Sequence, residues 1–178
     1  TRQPSGAHVE FLSGTDNPIG IKVGPSIIEA DLLKLCEKLN PKNQWGRITL
    51  ITRMGANKIS KKLPPIIKAI KKNGQKVLWI CDPMHGNTYK STTGFKTRHF
   101  DTILEELEYF FAIHRAENTV PGGVHFELTG NNVTECLGGA REISDLDLEK
   151  KYETACDPRL NNEQSLELAF LLTDLLRN

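Results

Sequence analysis

Short apolar runs and longer apolar stripes alternate along the chain. Four of the runs have the β-branched or alternating character of strands, at residues 19–24, 47–55, 76–82 and 123–130. In the last run, apolar residues at 124, 126 and 128 alternate with polar residues at 125, 127 and 129. These patterns predict four strands.

Helical spacing fills the segments between and around these runs. Broad apolar stripes predict helices over residues 57–73 and 99–117, and a shorter helix is expected over 6–14. A last helix begins near Asn162 and is expected to bury its leucines at 166, 168, 172 and 176 together with Ala169.

Two sequence signals refine the helix boundaries. Ser26 and Glu29 have the spacing of a capping box, and Asn40-Pro41 would end the helix that they begin. Pro64-Pro65 lies inside the 57–73 segment and predicts a division into two short helices, because proline disrupts a helix interior.

The resulting order of elements is α-β-α-β-α-β-α-β-α. Strict alternation is typical of a parallel sheet with crossover helices. Two α/β architectures fit, an open doubly wound sheet or part of a (β/α)8 barrel. A whole barrel needs about 250 residues, so four strands correspond to half of one.

Composition excludes several classes of function. The net charge of +1 provides no general attraction for nucleic acid or an anionic membrane, and no apolar run is long enough to span a bilayer. The chain begins at Thr1 without a signal-peptide pattern, so we expect a fragment or a processed product. The four cysteines form no CxxC pair and predict reduced thiols in a cytosol-like compartment.

Candidate chemistry follows each predicted strand. The first strand carries Lys22, the second Arg53, the third Asp82 and His85, and the fourth Glu127, with an aspartate at 157 in the loop beyond. Ligands of α/β proteins bind at the carboxyl ends of parallel strands. We therefore expect these side chains to converge on one cavity.

Each of these residues also has a purely structural explanation. Lys22 can extend to the surface, Arg53 can pair with a structural carboxylate, and His85 can occupy a turn. Glu127 can belong to a solvated strand face that it shares with the histidine at 125. Asp157 can simply start a turn before the next proline.

Taken together, the residues point to more specific chemistry. One histidine and two carboxylates suit a divalent first-row metal such as Mn, Fe, Co or Zn. A lysine and an arginine on adjacent strands suit a phosphorylated, carboxylated anion. A metal beside a phosphate site indicates metal-assisted chemistry on a sugar phosphate or an enol phosphate.

Nucleotide and nucleic-acid functions are disfavoured. The chain contains neither a GxGxxG fingerprint nor a GxxxxGK[ST] loop. The basic segment YKSTTGFKTRHF resembles an RNA-binding patch in composition, but a strand-end loop leading into a helix explains it as well. We expect no nucleic-acid partner and no membrane.

Several long motifs resemble one enzyme family. They are DPMHGNT (82–88), GGVHFELTGNNVTECLGG (122–139), NPIGIKVGPS (17–26), TRMG (52–55) and CDPRLN (156–161). They closely resemble the type II (plant-like) 3-deoxy-D-arabino-heptulosonate 7-phosphate (DAHP) synthases, and the match extends from residue 1 to the C-terminus.

The resemblance implies a fold, a reaction and a set of roles. The fold would be a (β/α)8 barrel, and the reaction would join phosphoenolpyruvate, D-erythrose 4-phosphate and water into DAHP and phosphate, the first step of the shikimate pathway. His85, Glu127 and Asp157 would bind one divalent metal ion (Mn, Co, Zn or Fe). Lys22 and Arg53 would bind phosphoenolpyruvate, and Lys22 and His85 would be catalytic.

The resemblance is incomplete in one respect. The family's fourth metal ligand is a cysteine in the N-terminal half of the barrel, and Cys81, Cys136 and Cys156 do not match it. Residues 1–178 would thus be the C-terminal half of one barrel domain, roughly strands five to eight with their helices. We expect the missing N-terminal half as a partner, inactivity of this half alone, and a homo-oligomer.

Two alternatives remain open. A non-catalytic α/β module could hold a phosphorylated metabolite with Lys22, Arg53 and the loop at 86–98, and it would need no metal. A metal-dependent aldolase on the same barrel would release no phosphate from an enol phosphate. The expected location is cytoplasmic in a bacterium or plastidic in a plant.

Overall fold

Three parallel strands form the central sheet in the computed structural model, which describes residues 2–177. The strands are β1 (Ile19–Val23), β2 (Ile48–Thr52) and β3 (Val77–Cys81), in the spatial order β1-β2-β3. Their first residues are aligned, because Ile19 pairs with Ile48 and Ile48 with Val77. The α/β class and the parallel sheet that the sequence predicts are therefore confirmed.

Five α-helices connect and flank the strands. They are α1 (Ala7–Ser13), α2 (Glu29–Leu39), α3 (Ala56–Lys72), α4 (Phe100–Ala116) and α5 (Asn162–Arg177). The short strands β4 (Tyr89–Lys90) and β5 (Lys96–Thr97) form an antiparallel pair between β3 and α4, and a 3-10 helix spans Asp145–Lys150. The core lies between the sheet and the apolar faces of the helices.

The predicted capping box at Ser26 is wrong. Helix α2 begins at Glu29 after Ile28, and no side chain caps its first turn. The Ile27 amide donates to the Gly24 carbonyl at 3.1 Å, so Ser26 lies in a turn before the helix. Because Ser26 belongs to the turn after β1, it does not lie directly before the helix, as a capping box requires.

The predicted division of α3 at Pro64-Pro65 is also wrong, because the helix is continuous over 17 residues. Pro64 is partly buried and Pro65 is exposed. The opposite face is buried in the core through Leu63, Ile66, Ile67 and Ile70. Packing of this face outweighs the loss of the prolines' backbone hydrogen bonds.

The predicted fourth strand is present only in rudimentary form. Residues 122–125 lie along the outer edge of β3, where the Gly122 amide donates to Trp79 O at 2.8 Å and the His125 amide to Cys81 O at 2.8 Å. Only single parallel bridges form, between Cys81 and Val124 and between Leu128 and Leu160. The segment has no regular strand on its far side within residues 2–177, and this explains the short pairing.

Helix α5 buries less of its apolar side than the sequence predicts. Leu168 is 1 % exposed, whereas Leu166, Phe170 and Leu176 are more than 60 % exposed. All four cysteines are free, and Cys156 is the exposed one. None of the described helices is both long and apolar enough to cross a membrane.

Candidate metal and anion site

The carboxyl ends of the three strands bring the predicted chemistry together. Lys22 lies near the end of β1, Arg53 directly follows β2, and Asp82 directly follows β3. A cavity of about 640 Å³ opens beside them, and its lining includes Lys22, Arg53 and His85. Parallel pairing places these residues at one edge of the sheet, as the sequence predicts.

Asp82 fixes the orientation of His85. The carboxylate is fully buried, and its oxygens lie 2.8 and 3.0 Å from His85 Nδ1. It also accepts hydrogen bonds from the backbone amides of Met84 and His85 at 3.1 Å each. Because Nδ1 is held by this carboxylate, Nε2 points away from Asp82 and is available to a ligand.

Asp82 stays ionised although it is buried. Burial opposes the charged form, but hydrogen bonds from the Lys22 ammonium and from His85 outweigh it and lower the pKa of the Asp82 carboxyl. Lys22 Nζ forms an ion pair with this carboxylate. Asp82 therefore connects Lys22 to His85, the candidate metal ligand.

Glu127 and Asp157 face the free nitrogen of His85. Glu127 Oε1 lies 3.3 Å from His85 Nε2, and Asp157 Oδ2 lies 3.9 Å from the same atom. One ligand atom from each of the three residues lies within 4.8 Å of the others. An imidazole nitrogen and two carboxylate oxygens at these separations fit a divalent first-row metal ion.

The remaining carboxylate oxygens face cations. Arg98 Nη2 lies 2.7 Å from Glu127 Oε2 and 3.9 Å from Asp157 Oδ1, and Lys96 Nζ forms an ion pair with Asp157 Oδ1. The hydrogen bond from Lys96 is the main cause of the lowered pKa of the Asp157 carboxyl. Asp157 therefore keeps its negative charge at neutral pH.

A second group overlaps the first. Asp82, His85 and His125 also have ligand atoms within 4.8 Å of one another, and the two histidine rings are 6.2 Å apart. His125 is exposed, however, and Asp82 already accepts four hydrogen bonds or ion pairs. The group of His85, Glu127 and Asp157 is the better candidate for an ion.

The two basic residues predicted to bind an anion both lie beside His85. Arg53 Nη1 lies 3.4 Å from the His85 carbonyl, and the Arg53 side chain is partly exposed. Lys22 is 37 % exposed despite its ion pair. Both cations therefore remain accessible from the cavity.

Two further buried carboxylates hold the loops of the site. Glu106 of α4 accepts hydrogen bonds from the amides of Met54 and Gly55 at 2.8 and 3.0 Å, and from Asn87 Nδ2 at 2.7 Å. It thereby ties the loop after β2 to the loop after β3. Glu135 binds Arg159 and the amides of residues 153, 154 and 159, which shapes the loop that carries Asp157.

Sequence reasoning missed the residues that support the site. The sequence places both Lys96 and Arg98 in a basic loop before a helix, and it indicates no role for Glu106 or Glu135. No signal in the sequence distinguishes Arg98 from Lys90 and Lys96 in the same segment, or Glu106 from the other acidic residues of its helix.

Comparison with known proteins gives a consistent match. The model of the Class-II DAHP synthetase family matches residues 1–173. The chain is 57 % identical over its whole length to phospho-2-dehydro-3-deoxyheptonate aldolase AroG of Mycolicibacterium smegmatis, of which it covers 38 %. It is 53 % identical to phospho-2-dehydro-3-deoxyheptonate aldolase of Streptomyces coelicolor, of which it covers 40 %. The chain thus spans about two fifths of the length of these curated relatives.

Proposed function

We propose that this chain, which belongs to the class-II DAHP synthetase family, forms part of an enzyme that condenses phosphoenolpyruvate with D-erythrose 4-phosphate. Water takes part, and the products are DAHP and inorganic phosphate, in the first step of the shikimate pathway. One observation carries the proposal: ligand atoms of His85, Glu127 and Asp157 lie within 4.8 Å of one another, and the cavity beside them is lined by Lys22 and Arg53.

The proposed architecture is a (β/α)8 barrel of the plant-like type, with residues 1–178 as roughly its C-terminal half. Three parallel strands with intervening helices support it, as does the extended segment along the edge of β3. In the described chain, β1 has no partner strand on its other side. The preceding part of the same polypeptide is the proposed partner there, since the relatives are about two and a half times longer.

The proposed cofactor is one divalent ion, Mn, Co, Zn or Fe, held by His85, Glu127 and Asp157. When bound, such an ion supplies Lewis-acid polarisation of a carbonyl oxygen. Asp82 keeps the His85 ring in the orientation that presents Nε2. The two carboxylates contribute the negative charge that a divalent cation requires.

The proposed roles of Lys22 and Arg53 are to bind phosphoenolpyruvate and to hold it in place. A guanidinium and an ammonium beside one cavity suit a ligand that carries both a phosphate and a carboxylate. Lys22 is also the proposed proton carrier, because its side chain lines the cavity and pairs with Asp82. Holding phosphoenolpyruvate in place by these two side chains lowers the free-energy barrier of the reaction through orientation alone.

Paired substitutions in the complete protein test this division of roles. His85→Ala should abolish turnover and metal retention, because it removes the central ligand. Arg53→Ala should weaken phosphoenolpyruvate use and leave the metal content unchanged. Metal content is measured by elemental analysis after chelation and add-back, and turnover by release of inorganic phosphate and formation of the seven-carbon product.

The outcomes separate the alternatives. Normal turnover of His85→Ala after rigorous chelation and add-back would refute the ligand role, and metal loss in Arg53→Ala would refute the separation of the two sites. A phosphorylated-metabolite-binding module would contain no metal and turn nothing over. An aldolase would form its product without releasing phosphate from phosphoenolpyruvate.

Assembly and location complete the proposal. A homo-oligomer is supported by the exposed apolar side chains of Phe11, Leu166 and Phe170. A cytoplasmic location is supported by the free cysteines of the chain and by the bacterial sources of both relatives.

A further inference from the structure

The side chain of Arg98 is fully buried, although it is charged at any accessible pH. It lies between β5 and α4, directly behind the carboxylates of the proposed metal site. A buried guanidinium is unfavourable unless its donors are paired. The groups that pair with its donors therefore indicate the role of Arg98.

The guanidinium contacts every segment that carries a proposed ligand. Nε donates to Met84 O at 2.9 Å and to Thr88 Oγ1 at 2.8 Å, on both sides of His85 along the chain. Nη1 donates to the carbonyl of Pro158, which follows Asp157 directly. Nη2 lies 2.7 Å from Glu127 Oε2, and this contact is an ion pair without hydrogen-bond geometry.

Arg98 also separates the two oxygens of each carboxylate. Glu127 Oε2 faces Arg98 while Oε1 faces His85 Nε2, and Asp157 Oδ1 faces Arg98 and Lys96 while Oδ2 faces His85 Nε2. Cations thus take the outer oxygens and leave the inner ones directed at a common point.

We propose that Arg98 is a positioning residue of the metal site: its guanidinium joins the three ligand-bearing segments and directs one oxygen of each carboxylate toward His85 Nε2. This inference rests on the proposed metal site and adds a residue that never touches the ion. Outer groups that orient metal ligands typically change metal affinity by about 10- to 100-fold when they are replaced.

A lysine tests this role, because it keeps the charge but lacks the planar fork of donors. A purely electrostatic effect of Arg98 predicts a different change in metal affinity from a positioning effect. If only charge mattered, Arg98→Lys would bind metal as wild type does, and Arg98→Met would bind it more tightly, since a repelling cation has been removed. If Arg98 positions the ligands, both variants bind metal more weakly.

The experiment uses the complete protein stripped of metal. Mn²⁺ alone is titrated into wild type, Arg98→Lys and Arg98→Met, and free Mn²⁺ is followed by electron paramagnetic resonance. Binding of phosphoenolpyruvate to the metal-free proteins is measured by calorimetry. Arg141→Lys is the matched control, because this exposed arginine pairs with Glu163 outside the site.

We expect Arg98→Lys to weaken Mn²⁺ binding by about 10- to 100-fold, with phosphoenolpyruvate binding unchanged, because Arg98 does not contact Lys22 or Arg53. Arg141→Lys should match wild type in both titrations. Wild-type Mn²⁺ affinity in Arg98→Lys would overturn the inference. So would an equal loss of Mn²⁺ and phosphoenolpyruvate binding, which would show a general structural role.

Two additional variants keep the result interpretable. Thr88→Val removes one acceptor of Arg98 Nε and should weaken Mn²⁺ binding less than Arg98→Lys does. This variant tests the inference even if the Arg98 variants do not fold. Unchanged Mn²⁺ affinity in Thr88→Val would count against the inference. His85→Ala tests the site itself. If it retains Mn²⁺, the proposed metal site is wrong; if it loses Mn²⁺ while Arg98→Lys keeps it, only the role of Arg98 is wrong.

Discussion

Glu106 allows a sharp test, because its carboxyl is fully buried and titrates near neutrality. Burial raises the pKa of Glu106 to about 7, although three donors favour the charged form. Glutamine has nearly the same shape and cannot ionise. Glu106→Gln should therefore remove one specific pH dependence from the stability of the protein.

The direction of this pH dependence is set by whether the folded or the unfolded protein binds the Glu106 proton more tightly. The folded state has the raised pKa, so the contribution of Glu106 to stability is fully present below the unfolded pKa of 4.5. It is lost as the pH rises through about 7. For these two values, linkage gives about 2.5 kcal/mol less stability at pH 8 than at pH 5.

The substitution also has a cost that does not depend on pH. Glu106 Oε2 accepts from Asn87 Nδ2, and an amide nitrogen in that place would face another donor. Asn87 cannot simply turn over, because its Oδ1 accepts from the Ala56 amide at 3.0 Å and its Nδ2 donates to Pro83 O. A buried mismatch of this kind costs about 1–3 kcal/mol.

The assay separates the two effects. Urea unfolding of the complete wild type and of Glu106→Gln is measured at pH 5 and pH 8. The fixed cost cancels when the two mutational differences in the free energy of unfolding are subtracted. We expect Glu106→Gln to be more destabilising at pH 5 than at pH 8 by about 2.5 kcal/mol. Glu108→Gln, an exposed change on the same helix, should show no such difference.

A mutational difference that is equal at both pH values would refute the reasoning, because Glu106 would then not change its charge in this range. A difference of the opposite sign would show that the three donors outweigh burial. Either result would be independent of the metal, since Glu106 does not contact the proposed ligands.

Two more predictions concern the helix interior and the thiols. Pro65→Ala should stabilise the protein by about 1–2 kcal/mol, because alanine restores a backbone donor in α3 against a small gain in unfolded-state entropy. Urea unfolding against Pro41→Ala, outside any helix, checks this, and a loss of stability would contradict it. Iodoacetamide should modify Cys156 before the other three cysteines, because burial raises the pKa of the Cys36 thiol to about 11 and of Cys136 to about 12. Peptide mapping checks the order, and equal labelling of a buried cysteine would contradict it.

Local patterns predicted the regular part of the fold well. Each of the three strands is rich in apolar residues of the types that favour strands. Parallel pairing then places Lys22 and Arg53 at the carboxyl end of the sheet. Failures occurred where packing decided the outcome. Helix α3 continues through Pro64 because its buried face is held by the core. The segment after Pro121 pairs only briefly because residues 2–177 provide it with no second neighbouring strand.

The site could be predicted only as far as strand ends reveal it. Arg53 follows β2 directly and His85 lies four residues after the end of β3, so their convergence is a consequence of topology. Asp157 lies 30 residues beyond Glu127, so its place does not follow from a strand end; its position in the loop after the fourth predicted strand and the family resemblance are its only signals. The spatial role of Asp157 depends on Glu135 and Arg159, whose contacts join residues far apart in sequence.

Burial distinguishes the residues proposed to bind the ion and the anion from those that support them. Lys22, Arg53, His85, Glu127 and Asp157 are all partly exposed. The fully buried carboxylate and guanidinium groups of the described chain belong to Asp82, Arg98, Glu106 and Glu135, and all four hold a loop of this one site.

That distribution is informative because a buried charge is costly unless it is fully paired. If these four residues served stability alone, apolar side chains would do as well, and there would be no reason for all of them to lie at one edge of the sheet. Here each holds a backbone or side-chain group of the loops that surround the cavity. Fixed loops keep ligand atoms within reach of one another before any ligand arrives, which is the condition for binding an ion and an anion side by side.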